Sequence, residues 1–181
     1  MNILFVCTGN ICRSPMAEQM LRQRLDAAGI TDVRISSAGV MAMEGHNLDG
    51  QVATAMRDAG FEPMPHRARQ LTTQQIKEAD LVLTATTEHR SDVVELHIPA
   101  NRKTFTLKEF AALAHYVVHK DPSSLNDVLL ERLQNTLHNR GMQDSPENLN
   151  IADPYKGTDA LTHQVARETQ AEIERITNWL S

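Results

Sequence analysis

The order of apolar, turn-forming and amphipathic segments constrains the fold of this chain most strongly. Residues 3–6 form a continuous apolar run, which is typical of a strand covered on both faces, as in a parallel sheet. Turn-type residues follow at positions 8–10, and Pro15 opens a stretch with apolar residues at helical spacing. Strands that alternate with helices in this way predict a parallel sheet with right-handed crossovers and helices on both faces.

The same alternation continues to the end of the chain. Four strands are predicted, at residues 3–6, 33–36, 81–83 and 103–106. Helices are predicted from Ser14 onwards, over 49–59, 72–78, 87–96 and 107–118, along the leucine stripe at 125, 129, 133 and 137, and in a last segment marked by Val165, Thr169, Ile173, Ile176 and Leu180. Residues 141–148 are predicted to form a loop. Since there is no internal repeat and no credible linker, we expect an α/β fold in a single domain, 1–181, with a doubly wound, four-stranded parallel sheet.

Composition narrows the class of protein. With 18 basic and 23 acidic residues, the formal net charge is −5, so no basic field is available to hold nucleic acid non-specifically. The sequence shows no secretion signal and no apolar run long enough to cross a bilayer. Two cysteines, Cys7 and Cys12, cannot form a disulfide framework. We therefore expect a cytoplasmic protein with reduced thiols, which binds neither nucleic acid nor membrane.

The loop after the first strand carries the candidate chemistry. At the carboxyl end of a parallel strand and the start of a helix, successive N–H groups bind anions such as phosphate. Gly9 and Asn10 tolerate the left-handed backbone that such a loop needs. Cys7 above this anion site is expected to be a thiolate nucleophile, and Arg13 can offer a planar fork to two phosphate oxygens. The bare spacing of a cysteine and an arginine is a weak signal, and Cys7 as a small buried apolar residue is the alternative reading.

The wider pattern resembles the low-molecular-weight protein tyrosine phosphatase family, related to its bacterial phosphoarginine phosphatase branch. The resemblance centres on CTGNICRSPMAE at residues 7–18. Further segments that look like family motifs lie at residues 37–39, 66–71, 79–84 and 153–155. The resemblance implies a hydrolase that acts without metal or other cofactor on a phosphorylated protein and forms a phosphocysteine intermediate.

The resemblance also implies a role for individual residues. Cys7 would be the nucleophile, Arg13 would bind the phosphoryl group, and Asp153 in the Asp-Pro-aromatic loop would be the general acid. His66 would support the strained loop through Asn10. The phosphate would be bound by Thr8, Gly9, Asn10, Ile11, Cys12 and Ser14, and Ser14 would also assist the thiolate.

The walls of the pocket bear on the substrate. Ile11, Tyr155 and either Met41 or Met43 are expected to form a slot for a flat ring. Many tyrosine-specific family members carry a second aromatic residue where this chain has Lys156. The phosphoarginine branch carries Thr at the position of Ile11, where an isoleucine methyl would crowd a guanidinium. Ile11 therefore favours phosphotyrosine, with phosphoarginine as the alternative.

Some alternatives stay open. Cys12 is either a redox partner that protects Cys7 by a reversible disulfide or a small buried residue. His115 and His119 have zinc-like spacing without a third ligand, so we assign them to a helix surface. Residues 107–150 exceed the compact family core and predict a helical insertion of undecided role. Arsenate reduction is disfavoured because no cysteine follows Cys12, and a non-catalytic phosphopeptide-binding module is disfavoured because binding requires neither thiol nor acid. We expect a monomer or a weak homodimer.

Overall fold

The computed structural model describes residues 1–114, 125–140 and 146–181. Its strands are β1 (Asn2–Cys7), β2 (Arg34–Gly39), β3 (Leu81–Thr84) and β4 (Thr104–Thr106). Its helices are α1 (Arg13–Ala27), α2 (Gly50–Asp58), α3 (Thr73–Glu78), α4 (Thr87–Leu96), α5 (Leu107–Ala114), α6 (Leu125–Asn139) and α7 (Asp159–Leu180). A 3₁₀ helix, Ile98–Lys103, precedes β4.

The four strands form one parallel sheet in the order β2-β1-β3-β4. Ile3 pairs with Ile35 on one side and with Leu81 on the other. The chain therefore leaves β1 first to one side and later to the other, so the carboxyl end of β1 is a topological switch point, where open α/β sheets bind ligands. The predicted four-stranded parallel sheet is confirmed.

Alternate side chains of β1 enter two separate cores. Ile3 and Phe5 pack in the larger one, with residues of α1, α2, α5, α6 and α7. Leu4 and Val6 pack in the smaller one, with Ile76 of α3 among others. Burial of each large aliphatic side chain contributes about 1.5–3 kcal/mol. Since both faces of the sheet are covered, the prediction of helices on both faces is confirmed.

The C-terminal region is helical. Phe110 of α5 stacks edge-on against Phe105 and against Trp179 of α7, at centroid distances of 5.5 and 5.1 Å. In α6, Leu129 and Leu133 join the same core, and Arg132 donates to the Trp179 carbonyl at 2.7 Å. The leucine stripe thus belongs to a helix, as predicted. His115 and His119, the predicted end of α5 near residue 118 and most of the predicted 141–148 loop lie outside the described residues.

The structure differs from the sequence-based prediction in the bounds of several elements and in one missed element. The second strand extends to Gly39 because the Cys7–Gly39 pair continues its ladder with β1. Residues 98–103, which carry Pro99 in the first turn, form a 3₁₀ helix that the sequence reading missed. Within the described residues, no helix is both long and apolar enough to cross a membrane.

Candidate active site

In the loop that joins β1 to α1, the carbonyl groups point away from the centre of the loop and towards the surrounding protein. Asn10 adopts a left-handed backbone with φ 55°, as the anion-binding shape requires. Every carbonyl oxygen from residue 7 to residue 12 accepts a hydrogen bond, and the donors are the backbone N–H groups of Val40, Met41, Met43, Asp49 and Met16 and the imidazole Nε2 of His66. Among the described residues, no group accepts from the N–H groups of residues 9–12. These N–H groups are therefore free for an anion.

Asn10 connects the loop to its surroundings. Its side chain donates to Ser14 Oγ at 3.0 Å and to Ser37 Oγ at 2.9 Å, and it accepts from the backbone N–H of Arg69. Ser14 Oγ in turn lies 2.9 Å from Cys7 Sγ. Cys7 is buried at the end of β1. The Ser14 hydroxyl beside its sulfur is held in a fixed position by Asn10. His66 Nε2 donates to the Asn10 carbonyl oxygen at 2.6 Å, and the supporting role that the resemblance implies for His66 stays a prediction.

Gly39 allows the second strand to lie against this loop. A Cβ atom at this position would overlap the Thr8 carbonyl oxygen and would lie 3.0 Å from the Asn10 nitrogen. Both neighbours are backbone atoms, so neither can move without deforming the loop. The approach of β2 to the loop therefore requires glycine at position 39.

Gly39→Ala is expected to destabilise the protein by about 1–3 kcal/mol and to weaken phosphate binding, because the added methyl displaces the loop. Thermal unfolding and the inhibition constant of inorganic phosphate measure the two effects. Gly50→Ala is the matched control, since nothing lies within 4 Å of its added Cβ in α2 and helix propensity favours alanine by about 1 kcal/mol. Equal behaviour of the two variants would contradict the steric argument.

Arg13 begins α1 and has a buried guanidinium. It donates to the Ile151 carbonyl and to Thr8 Oγ1, each at 3.3 Å, and to Asp153 Oδ2 at 2.8 Å. Its Nε is buried without a partner among the described residues, and the N-cap residue Cys12 makes no side-chain capping bond. A buried N–H without an acceptor is costly. This Nε and the free loop amides are therefore candidate donors to a bound oxyanion.

Asp153 lies at the mouth of this site. Its Oδ1 accepts from the Tyr155 backbone N–H at 3.1 Å, which holds the loop in a tight turn. The Asp153 side chain is half exposed, whereas the Arg13 side chain with which it pairs is buried. Lys156, with φ 56°, places its ammonium 5.2 Å from the centre of the Tyr155 ring. The acid, the aromatic side chain and the lysine thus share one rim.

A single pocket of about 190 Å³ brings most predicted site residues together. Its lining comprises Cys7, Thr8, Gly9, Ile11, Cys12, Arg13, Met41, Met43, Asp153 and Tyr155. Met41 and Met43, which the sequence analysis gave as alternatives, both line this pocket. Asn10, Ser14 and His66 lie behind the lining and support it. The described residues include no group of three or more His, Cys, Asp or Glu side chains that could hold a metal ion.

The second cysteine differs from the first in its surroundings. Burial, together with the nearby charges of Asp49 and Cys7, raises the pKa of the Cys12 thiol to about 12. Both thiols are free in this structure. Because the thiolate is the attacking form in disulfide exchange, a protonated Cys12 would react slowly. The proposed Cys7–Cys12 disulfide therefore stays a prediction.

One residue of the site escaped the sequence reading. His89, in the first turn of α4, has its Nε2 atom 2.8 Å from Thr8 Oγ1. Its position in the chain was the one signal that could have indicated it. Helix α4 begins shortly after β3 ends, and the carboxyl ends of adjacent parallel strands lie at the same edge of the sheet. No motif marked it, because the sequence alone does not reveal which helix start faces the loop.

Comparison with known proteins decides the family. Residues 2–143 match the sequence model described as "Low molecular weight phosphotyrosine protein phosphatase". The chain belongs to this family. The low-molecular-weight phosphatase match includes the anion-binding loop and His89 and ends before Asp153. The role of Asp153 as general acid is therefore argued from its geometry and from the resemblance of its Asp-Pro-aromatic segment to the acid loop of the family.

The relatives of this chain carry two kinds of name. The chain is 41% identical over 110 residues to a protein-arginine-phosphatase of Geobacillus stearothermophilus, and the match covers 61% of this chain and 71% of the relative. It is 38% identical over 106 residues to a low molecular weight protein-tyrosine-phosphatase of Acinetobacter johnsonii, covering 59% and 71%.

Solved structures are similar across the whole fold. The arginine phosphatase structure from Geobacillus stearothermophilus aligns with a TM-score of 0.71 at 30% identity, over 98% of this chain and 90% of that one. A low molecular weight protein tyrosine phosphatase from T. tengcongensis aligns with a TM-score of 0.74 at 28% identity, over 98% of both chains. These matches, with the family model, establish the fold and the family.

Proposed function

We propose that this protein is a cysteine-dependent phosphatase that hydrolyses phosphotyrosine in proteins through a phosphocysteine intermediate. One observation carries the proposal: Cys7, Arg13 and Asp153 line one pocket, and the buried Nε of Arg13 has no hydrogen-bond partner among the described residues. The floor of this pocket is a loop with free amide groups. A nucleophile, an oxyanion site and an acid within one small pocket form the set that phosphoryl transfer to sulfur needs.

In the first step, the Cys7 thiolate attacks phosphorus and the bond to the tyrosine oxygen breaks. The free N–H groups of the loop and the guanidinium of Arg13 stabilise the phosphoryl oxygens. The bound oxyanion accepts from the guanidinium of Arg13, which in this structure donates to Asp153. Released from Arg13, Asp153 in its protonated form gives a proton to the departing phenolate. The product of this step is tyrosine and a phosphocysteine.

In the second step, water attacks the phosphorus and the sulfur departs. Asp153, now a carboxylate, takes the proton from that water, as microscopic reversibility of the two half-reactions requires. Ser14 Oγ, at 2.9 Å from Cys7 Sγ, donates a hydrogen bond to the departing thiolate. Inorganic phosphate is released and the enzyme returns to its initial state.

The lining of the pocket favours a flat aromatic substrate. Ile11, Met41 and Met43 supply apolar contacts, and the Tyr155 ring is the aromatic wall. Against these three apolar side chains a guanidinium would lose hydrogen bonds to water without regaining them from the same side chains, which is costly. A phenyl ring has no such requirement. Phosphoarginine remains the second candidate because the relatives include a protein-arginine-phosphatase.

Parallel assays on matched phosphotyrosyl and phosphoarginyl peptides test this preference. Wild type is expected to have the higher kcat/KM on phosphotyrosine, and Ile11→Thr is expected to shift the ratio towards phosphoarginine by about tenfold. The reason is that threonine replaces part of an apolar side chain by a hydroxyl that can accept from a guanidinium. A wild-type preference for phosphoarginine would overturn the proposed substrate but leave the cysteine chemistry in place.

A further inference from the structure

His89 lies behind the anion-binding loop and is not part of the pocket lining. Its side chain is buried, and both ring nitrogens face hydroxyl groups. Nε2 is 2.8 Å from Thr8 Oγ1, and Nδ1 is 2.9 Å from Thr86 Oγ1. A buried imidazole with a hydrogen-bond partner on each side is held in one orientation. The phosphoryl-transfer steps described above do not use it.

The Thr8 hydroxyl lies between His89 and Arg13. Arg13 Nη2 donates to Thr8 Oγ1 at 3.3 Å, which occupies one of the two lone pairs of that oxygen. The imidazole then either accepts the Thr8 proton or donates to the second lone pair. In both tautomers the oxygen is fixed in position and keeps a lone pair for Arg13. A continuous path of hydrogen bonds thus runs from α4 to the guanidinium.

The charge state of His89 suits this connection. Burial lowers the pKa of its imidazole, and the positive charge of Arg13 lowers it further. The carboxylates of Asp92, Glu88 and Asp153 act in the opposite direction but are the smaller influences. A neutral ring holds the hydroxyl without adding a second cation next to the guanidinium, whereas a charged ring would repel it.

We propose that His89 is a positioning residue: its neutral imidazole holds the Thr8 hydroxyl where Arg13 can donate to it, and so fixes the guanidinium for oxyanion binding. This inference rests on the proposed function, because it assigns Arg13 to the phosphoryl group. Nε2 carries the role. Nδ1 serves the start of α4, since Thr86 also caps that helix by accepting from the His89 backbone N–H.

Two conservative variants separate these two contacts. The amide of glutamine reaches the place of Nε2, so His89→Gln retains the contact to Thr8. The shorter asparagine reaches only the place of Nδ1, so His89→Asn retains the contact to Thr86. We expect His89→Asn to weaken inorganic phosphate binding and to lower kcat/KM for p-nitrophenyl phosphate, each by about tenfold. We expect His89→Gln to restore most of both. His97→Gln, at the other end of α4, is the control and should match wild type.

The measurements are phosphate affinity by calorimetry, steady-state kinetics and thermal unfolding. A Thr8→Val background should abolish the difference between the asparagine and glutamine variants, because the hydroxyl that they contact is gone. Equal losses in both variants, with a parallel fall in Tm, would mean that His89 serves only packing and would overturn the proposal. Wild-type phosphate affinity in His89→Asn would overturn it as well.

Failure of this proposal is distinguishable from failure of the proposed function. Calorimetry with phosphate needs no turnover, so it decides the role of His89 in oxyanion binding even if the wild-type protein proves inactive on phosphate esters. Conversely, turnover that survives the loss of the Cys7 thiol would overturn the proposed function. The comparison of the His89 variants would remain readable in that case.

Discussion

Replacement of Cys7 by serine is expected to reduce turnover of aryl phosphates by about four to six orders of magnitude. A serine hydroxyl is not ionised at neutral pH, so the group that attacks phosphorus is lost. The oxyanion site remains, because the loop amides and Arg13 do not depend on the sulfur. Steady-state kinetics with p-nitrophenyl phosphate measures the loss, and calorimetry with inorganic phosphate measures the binding that is retained.

The retained phosphate binding is the internal control of this experiment. It shows that Cys7→Ser is folded and has its loop intact, since an oxygen in place of the sulfur can keep the contact to Ser14 Oγ that the sulfur makes at 2.9 Å. Full activity of Cys7→Ser would overturn the proposed mechanism. Loss of phosphate binding together with turnover would instead indicate that Cys7 shapes the loop.

Asp153→Asn is expected to lower kcat/KM on phosphotyrosine peptides by a factor of about 10² to 10⁴. This parameter reports the formation of phosphocysteine, whereas the later hydrolysis, in which Asp153 acts as base, is common to every ester. Asparagine cannot donate an acid proton, and the phenolate of tyrosine, whose conjugate acid has a pKa of about 10, is a poor leaving group without one. p-Nitrophenolate is a far weaker base and departs without help. The loss on p-nitrophenyl phosphate is therefore expected to be smaller, and the ratio of the two losses is the diagnostic quantity.

The asparagine variant also preserves the geometry of the loop. Its side-chain oxygen can still accept from the Tyr155 N–H, the 3.1 Å contact that holds the turn. Asp159→Asn, which makes the same charge change in the first turn of α7, is the matched control and is expected to retain turnover. An equal loss of kcat/KM on both esters in Asp153→Asn would overturn the proton-donor role and leave Asp153 as a partner of Arg13.

Fold prediction succeeded for the elements whose pattern of apolar residues along the chain matches their burial in the structure. The apolar run of β1 and the helical spacing of α1 needed no tertiary information, because a strand buried on both faces must be apolar throughout. The loop between them was equally accessible, since Cys7, Gly9 and Asn10 follow that strand directly. Prediction failed for the 3₁₀ helix Ile98–Lys103, since so short an element depends on what it packs against.

The role of Asp153 shows how far the sequence could go. An Asp-Pro pair marks a turn wherever it occurs, and only the family resemblance connected it with the loop that ends at Arg13, 140 residues earlier. The structure supplies the 2.8 Å contact between Arg13 and Asp153. The local sequence around Asp153 contains nothing that specifies that distance, because the packing of α7 on α1 and α2 determines where its N-terminal loop lies.

The sequence by itself determined the element order, the parallel sheet and the identity of the loop residues, because those depend on side-chain type and on spacing along the chain. Tertiary structure alone decided that both Met41 and Met43 line the pocket and that His89 lies against Thr8. Both facts depend on which elements meet across the edge of the sheet. Side chains far apart in sequence become neighbours only once strand order and helix packing are fixed.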